Sequence, residues 1–187
     1  ALPGKKILWR RPLMGRANAG IAASEGRIVV PDHGDGKDCF RCYSADKGDV
    51  LWTHSYENRA EMEYTSAPRA TPLIADGLVY TLGAAGHLFC LRLQDGSVVW
   101  QTNLAEQFNT QPPQYGYSAS PIIVDGKLIV APGAKEASLA ALDAKTGRVA
   151  WQTPGDPAAY ASFIVGTFGG VRQIVGYDAE SLGGWDP

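Results

Sequence analysis

Tryptophan recurs along this chain at long and nearly even intervals. Trp9, Trp52, Trp100 and Trp151 stand 43, 48 and 51 residues apart. The last three close the same eleven-residue stretch: CYSADKGDVLW from Cys42, CLRLQDGSVVW from Cys90 and ALDAKTGRVAW from Ala141. Each stretch opens on a small residue and carries Gly48, Gly96 or Gly147 at its seventh place. Two apolar residues then lead into the Trp. A single catalytic constellation does not repeat in this way, but a modular fold does. Periods of roughly 40–50 residues with several short strands belong to propeller blades; helical solenoids show shorter periods and helical spacing, and neither is present.

The rest of the unit repeats too. Well before each Trp comes an acidic residue followed by Gly between short apolar runs: Glu25-Gly26, Asp76-Gly77 and Asp125-Gly126. A small residue and Pro precede the last two (Thr71-Pro72, Ser120-Pro121), with Gly20-Ile21 in the matching place of the first. The 22 glycines and 12 prolines punctuate short β-branched runs. In the second unit these runs predict strands near 70–75, 78–82, 87–92 and 97–102. In the third they fall near 119–124, 127–131, 138–142 and 148–153, and in the first near 19–23, 27–31, 39–44 and 49–54. Four strands joined by tight turns form an antiparallel meander, one blade of an all-β propeller.

Three complete blades are expected, over 17–54, 68–102 and 117–153. Ile7-Leu8-Trp9 (5–10) reads as the last strand of a preceding blade. Residues 159–187 read as a truncated blade, with Trp185 at the Leu142 place. Closed rings hold four to eight blades, so the remaining blades of the same propeller are expected partners of this stretch. Two inserts, 55–66 and 103–117, fall between the outer strand of one blade and the inner strand of the next. They run over one face of the ring, where loops carry function. Leu104 to Phe108 suits a single helical turn.

Ala141, Asp143, Thr146, Gly147 and Trp151 match every fixed place of the tryptophan-docking motif A-x-D-x-x-T-G-x-x-x-W. The chain thus resembles the pyrroloquinoline-quinone-like repeat β-propellers, a quinoprotein-dehydrogenase-like class that includes BamB-type proteins. Arg69-Ala70-Thr71-Pro72 and Gly116 to Pro121 are similar to the form of this repeat in bacterial envelope proteins. The resemblance implies a structural docking role for Trp9, Trp52, Trp100, Trp151, Gly48, Gly96, Gly147 and Asp143: Gly suits the turn's backbone, and the Trp face can cover the neighbouring blade's peptide planes while its N–H finds an acceptor. The first two units depart from it, with Ser44 and Lys47, then Arg92 and Asp95, at the Asp and Thr places. The same repeat occurs with and without a cofactor, so it specifies fold more than function.

Chemistry is sparsely signalled. A net charge of −2 gives no footprint for nucleic acid. Lys5, Lys6, Arg10 and Arg11, the one basic cluster, read as a solvated strand end. No apolar run approaches the length of a membrane span. Cys39 and Cys42 are three apart within an expected strand, hence on opposite faces, and read as core filler with Cys90. Asp32 to Asp38 lacks EF-hand spacing and reads as a wide hairpin; His33, His54 and His87 read as separate surface or strand-end residues. Nucleophile-elbow, P-loop and zincin motifs are missing. A quinone-dependent dehydrogenase of this class implies Ca²⁺ ligands, an Asp base and usually adjacent cysteines, and this chain has no adjacent cysteines.

What remains is the central funnel. Inner strands begin at one rim of the channel, so their leading residues Asn18, Arg69, Ser118 and Tyr160, with Arg16 and Tyr117 beside them, line its mouth. Arg suits carboxylate or phosphate and Tyr suits mixed contacts; a rim without a ligand is the alternative. The expectation is a non-catalytic interaction or scaffold module of the bacterial envelope, periplasmic by resemblance, binding a protein or peptide through rim loops and funnel. No cofactor is predicted. Alternatives are part of a PQQ- and Ca²⁺-dependent alcohol or sugar dehydrogenase, or a sensor domain attached to another module.

Overall fold

The computed structural model describes residues 6–15 and 18–187. Lys5 and Arg16 lie outside the described residues. Three four-stranded sheets and one three-stranded sheet follow one another, each strand pairing antiparallel with its neighbour in sequence. The first unit holds β1 (Ala22–Ser24), β2 (Arg27–Gly34), β3 (Lys37–Ser44) and β4 (Val50–Glu57). The second holds β5 (Leu73–Ala75), β6 (Leu78–Leu82), β7 (His87–Arg92) and β8 (Val98–Asn103). After the single helical turn α1 (Leu104–Gln107), the third holds β9 (Ile122–Val124), β10 (Lys127–Val130), β11 (Leu139–Asp143) and β12 (Val149–Thr153). The fourth consists of β13 (Ile164–Phe168), β14 (Val171–Tyr177) and β15 (Leu182–Trp185).

Period-two alternation stacks these sheets face to face. On β6, Val79 packs toward the first unit with Phe40, Cys42 and Trp52. The next residue, Tyr80, packs toward the third unit with Leu128, Val130 and Leu142. A third cluster joins Ile129, Leu139 and Ala141 to Phe163 and Ile174 of the fourth unit. The second and third sheets are thus apolar on both faces, and their fully buried side chains are shared with the units on either side. That burial, worth about 25 cal/mol per Å² of apolar surface, holds blade to blade.

Several sequence expectations need correction. The inner strands are short, starting at Ala22, Leu73 and Ile122 rather than three residues earlier. Their leading residues leave the ladder because they bond the next unit instead, as described below. The Asp32–Asp38 stretch is not a wide hairpin: β2 and β3 run to a two-residue turn at Asp35 (φ 54°) and Gly36 (φ 71°). Positive φ at both places is the type I′ geometry that suits Asp-Gly and matches strand twist. Ile7 to Trp9 form no strand, and no strand of the described residues pairs with them. Trp185 pairs with Ile174, and Val171 follows its turn as Lys127 follows the turn in the third unit. Trp185 therefore stands opposite the counterpart of Val130, at the Ala140 place, two residues from the place read in the sequence.

Candidate functional site

The tryptophans make one repeated contact. Trp9 Nε1 donates to the Ala45 carbonyl at 3.1 Å, Trp52 Nε1 to Leu93 at 2.8 Å and Trp100 Nε1 to Ala144 at 2.9 Å. Each acceptor lies three residues before Gly48, Gly96 or Gly147, and the indole covers that glycine. A Cβ there would fall 2.6, 2.7 and 2.8 Å from the Trp9, Trp52 and Trp100 rings, so no larger residue fits. Within its own sheet, Trp52 stands opposite Cys42, Trp100 opposite Cys90 and Trp151 opposite Ala141, each followed by a β-bulge. This cross-strand pairing explains the small residue that opens every motif. Trp151 packs half-buried into the cluster with Phe163 and Trp185.

The turns reach one geometry by different side chains. Asp143 Oδ1 accepts from the Lys145 and Thr146 amides and from Thr146 Oγ1. In the second unit Asp95 accepts from the Ser97 amide and hydroxyl, and in the first Ser44 Oγ accepts from the Asp49 amide. Arg11, read as solvated, instead donates to the Gly48 carbonyl at 2.6 Å and pairs with Asp49.

A second repeated contact escaped sequence reading. The Gly20 amide donates to Thr71 Oγ1 at 3.1 Å, the Thr71 amide to Ser120 Oγ at 2.9 Å and the Ser120 amide to Ser162 Oγ at 2.9 Å. One hydroxyl per unit thus satisfies the backbone of the unit before it. The signal was the small residue at the matching place of each unit, Gly20, Thr71 and Ser120.

Inner strands start, and outer strands end, on the same face, so both inserts cross that face. There Asn18, Arg69, Ser118 and Tyr160 come together with Tyr64 and Tyr115 around an open pocket of about 450 Å³. Tyr117 does not join them. It is buried, donates to the Pro132 carbonyl at 3.0 Å, and burial pushes its phenol up. Tyr115, two residues earlier, takes the rim position. Arg69 Nη2 donates to the backbone carbonyls of Glu63 (2.9 Å) and Thr65 (2.7 Å), holding the first insert against the sheet. Gln114 Nε2 donates to Glu63 Oε1 at 2.8 Å, tying the second insert to the first. The Glu63 charge raises the Tyr115 phenol above its ordinary value. Asn103 caps α1 by accepting from the Ala105 and Glu106 amides, which fixes where the second insert begins.

Elsewhere, polar groups serve the fold. Asp38 is buried and accepts from Tyr56 (2.6 Å) and Asn58 (2.9 Å), with His33 Nδ1 at 2.7 Å. Asp32 accepts from the Met14, Gly15 and His33 amides. His54 and His87 are not simple surface residues: both pack on aromatic rings beside a cleft of about 550 Å³ between the first two units. Burial lowers the His54 pKa. Cys39, Cys42 and Cys90 are buried free thiols, and burial pushes Cys90 up to about 11. Among the described residues no group of three or more His, Cys, Asp or Glu is arranged to hold a metal ion. Asp125, in a crevice between units, is taken by both Arg172 amino groups. Among the described residues the donor set therefore does not fit a calcium-held quinone. No helix of the described residues is long and apolar enough to cross a membrane.

Comparison with known proteins places this geometry. A family described as outer membrane protein assembly factor BamB matches residues 3–114. The outer membrane protein assembly factor BamB of Escherichia coli strain K12 is 32% identical over 87 residues, covering 44% of this chain and 21% of that protein. The crystal structure of BamB from Moraxella catarrhalis superposes with a TM-score of 0.63 at 21% identity, over 94% of this chain and 54% of that one. Quinohemoprotein alcohol dehydrogenase from Comamonas testosteroni superposes with a TM-score of 0.58 at 20% identity, over 79% of this chain and 22% of that one, a likeness of fold alone. This chain thus spans about a fifth of the length of the Escherichia coli relative and about half that of the Moraxella catarrhalis structure. With more than half of its residues matched, the chain belongs to the outer membrane protein assembly factor BamB family of PQQ-like-repeat β-propellers.

Proposed function

We propose that this chain is a non-catalytic propeller scaffold of outer-membrane protein assembly, lying outside the cytoplasmic membrane and engaging a protein partner through the face that carries its inserts. One observation carries the reading: Asn18, Arg69, Ser118 and Tyr160, remote in sequence, meet around one open pocket on that face. The opposite face presents repeated turns whose side chains are spent on the fold. A scaffold needs a rigid frame and one unrepeated surface, and this arrangement offers both.

Site-specific photo-crosslinking in the native cell tests it. A photoreactive residue at Ser118 should give an adduct with a component of the outer-membrane assembly machinery, and one at exposed Lys145 on the opposite face should not. Adducts only from Lys145, or substrate-dependent dye reduction by the whole protein with quinone and Ca²⁺, would overturn the reading.

A further inference from the structure

We propose that the rim pocket receives a carboxylate carried by an extended segment of the partner, with Arg69 taking the carboxylate and Tyr64, Tyr115 and Tyr160 covering the residues beside it. This rests on the scaffold reading above. The pocket lining is rich in donors and contains no carboxylate: one guanidinium, one carboxamide, one hydroxyl and three phenols. Arg69 makes no salt bridge among the described residues; its bonds run from Nη2 to backbone carbonyls, and its buried Nε has no partner. The nearby Glu63 carboxylate accepts from Gln114 and lies beside the Tyr115 phenol, making no ion pair with Arg69. A cation held in place by neutral carbonyls, with donors to spare, is matched by a ligand carboxylate, the group Arg binds most strongly.

The tyrosines define what flanks that carboxylate. They arrive from the first insert, the second insert and the fourth unit, yet their rings stand in a row, 5.6 Å from Tyr64 to Tyr115 and 5.5 Å from Tyr115 to Tyr160. Tyr64 is 88% exposed and sits at φ 71°, a region costly for any residue but Gly. Strain kept at an exposed aromatic points to a use outside the chain. Beyond Tyr160 the surface continues as a groove of about 500 Å³ lined by Pro113, Pro157, Ala158 and Tyr177. A donor-rich pocket and an apolar groove that share Tyr160 suit an extended peptide, whose residues advance about 3.3 Å each, better than a compact ligand.

The test is panning of a displayed library of random heptapeptides, in a Gly/Ser frame, against the chain. The expected result is enrichment of Asp or Glu, with recovery of acidic clones falling roughly tenfold or more in Arg69→Gln, the size of one lost charge-assisted hydrogen bond. Because Arg69 also braces the first insert through the carbonyls on either side of Tyr64, Tyr115→Ala and Tyr160→Ala, which touch neither of those bonds, serve as second variants; both should weaken acidic clones several-fold. No acidic enrichment, or enrichment that survives Arg69→Gln, overturns the carboxylate assignment. If the clones recovered are non-acidic but still lost in Tyr115→Ala and Tyr160→Ala, the rim remains a binding face for another chemistry. Recovery untouched by every variant overturns both readings.

Discussion

The turns that receive the tryptophans and the face crossed by the inserts are built on opposite logic. At the turns, geometry is constant while side chains vary. Asp143, Asp95 and Ser44 brace three equivalent loops in three ways, yet each ends with an indole over a glycine and an N–H on a carbonyl. On the insert face, apart from the hydroxyl relay at the heads of the inner strands, contacts do not repeat: Arg69 pins one insert, Asn103 caps the other, and Gln114 links them. Repetition marks what every blade needs to stack on the next. Its absence marks what only one place needs, and that is where recognition is to be sought.

The largest effects should come from the repeated side. Trp52→Ala removes a buried indole and its bond to Leu93 and should cost about 3–5 kcal/mol in denaturant unfolding. A loss below about 1 kcal/mol would mean that stacking of the sheets does not depend on the indole. Asp38→Ala leaves Tyr56, Asn58 and His33 without their shared acceptor between the first two units and should cost about 3 kcal/mol. Ser120→Ala leaves the Thr71 amide without its acceptor and should cost about 1 kcal/mol, a measure of one link in the hydroxyl relay.

Acid provides a subtler probe. Burial holds the folded-state pKa of His54 below its ordinary 6.5, so the unfolded chain binds its proton first. Stability from this group is therefore complete above pH 6.5 and declines as pH falls below it. His54→Gln should flatten that slope relative to the parent chain in melts run across this window; an unchanged slope would refute the assignment. The smallest effect belongs to the unrepeated side. Tyr64→Asn relaxes the positive φ and should leave stability unchanged or raised by about 0.5 kcal/mol, while binding at the rim falls.

The contrast also sorts what sequence could disclose. The Trp–Gly spacing, the acidic-Gly turns and the two-sided apolar strands are local patterns forced by packing, so they show in the residues. Asn18, Arg69, Ser118 and Tyr160 followed from counting along the repeat. Tyr117 was misplaced because the path of an insert obeys no period: the chain turns at Tyr115 and Gly116, leaving Tyr115 at the rim and Tyr117 buried. Tyr64 had no signature at all, since its position depends on a backbone angle set by contacts elsewhere in its loop. The sequence showed Gly20, Thr71 and Ser120 at matching places but not Ser162, and the meaning of the relay needs the neighbouring unit. The two-residue displacement of Trp185 arose because the fourth unit turns at Gly169-Gly170 and then takes its own strand lengths.

Hydrogen exchange on the ¹⁵N-labelled chain tests the division most directly, because indole and amide protons report both regions in one sample. The account predicts that the Trp52 and Trp100 indole N–H groups exchange orders of magnitude more slowly than free indole. Amides of 59–66 and 109–115 should exchange with little protection. Indoles exchanging at the free rate, or inserts protected as strongly as the sheets, would contradict it.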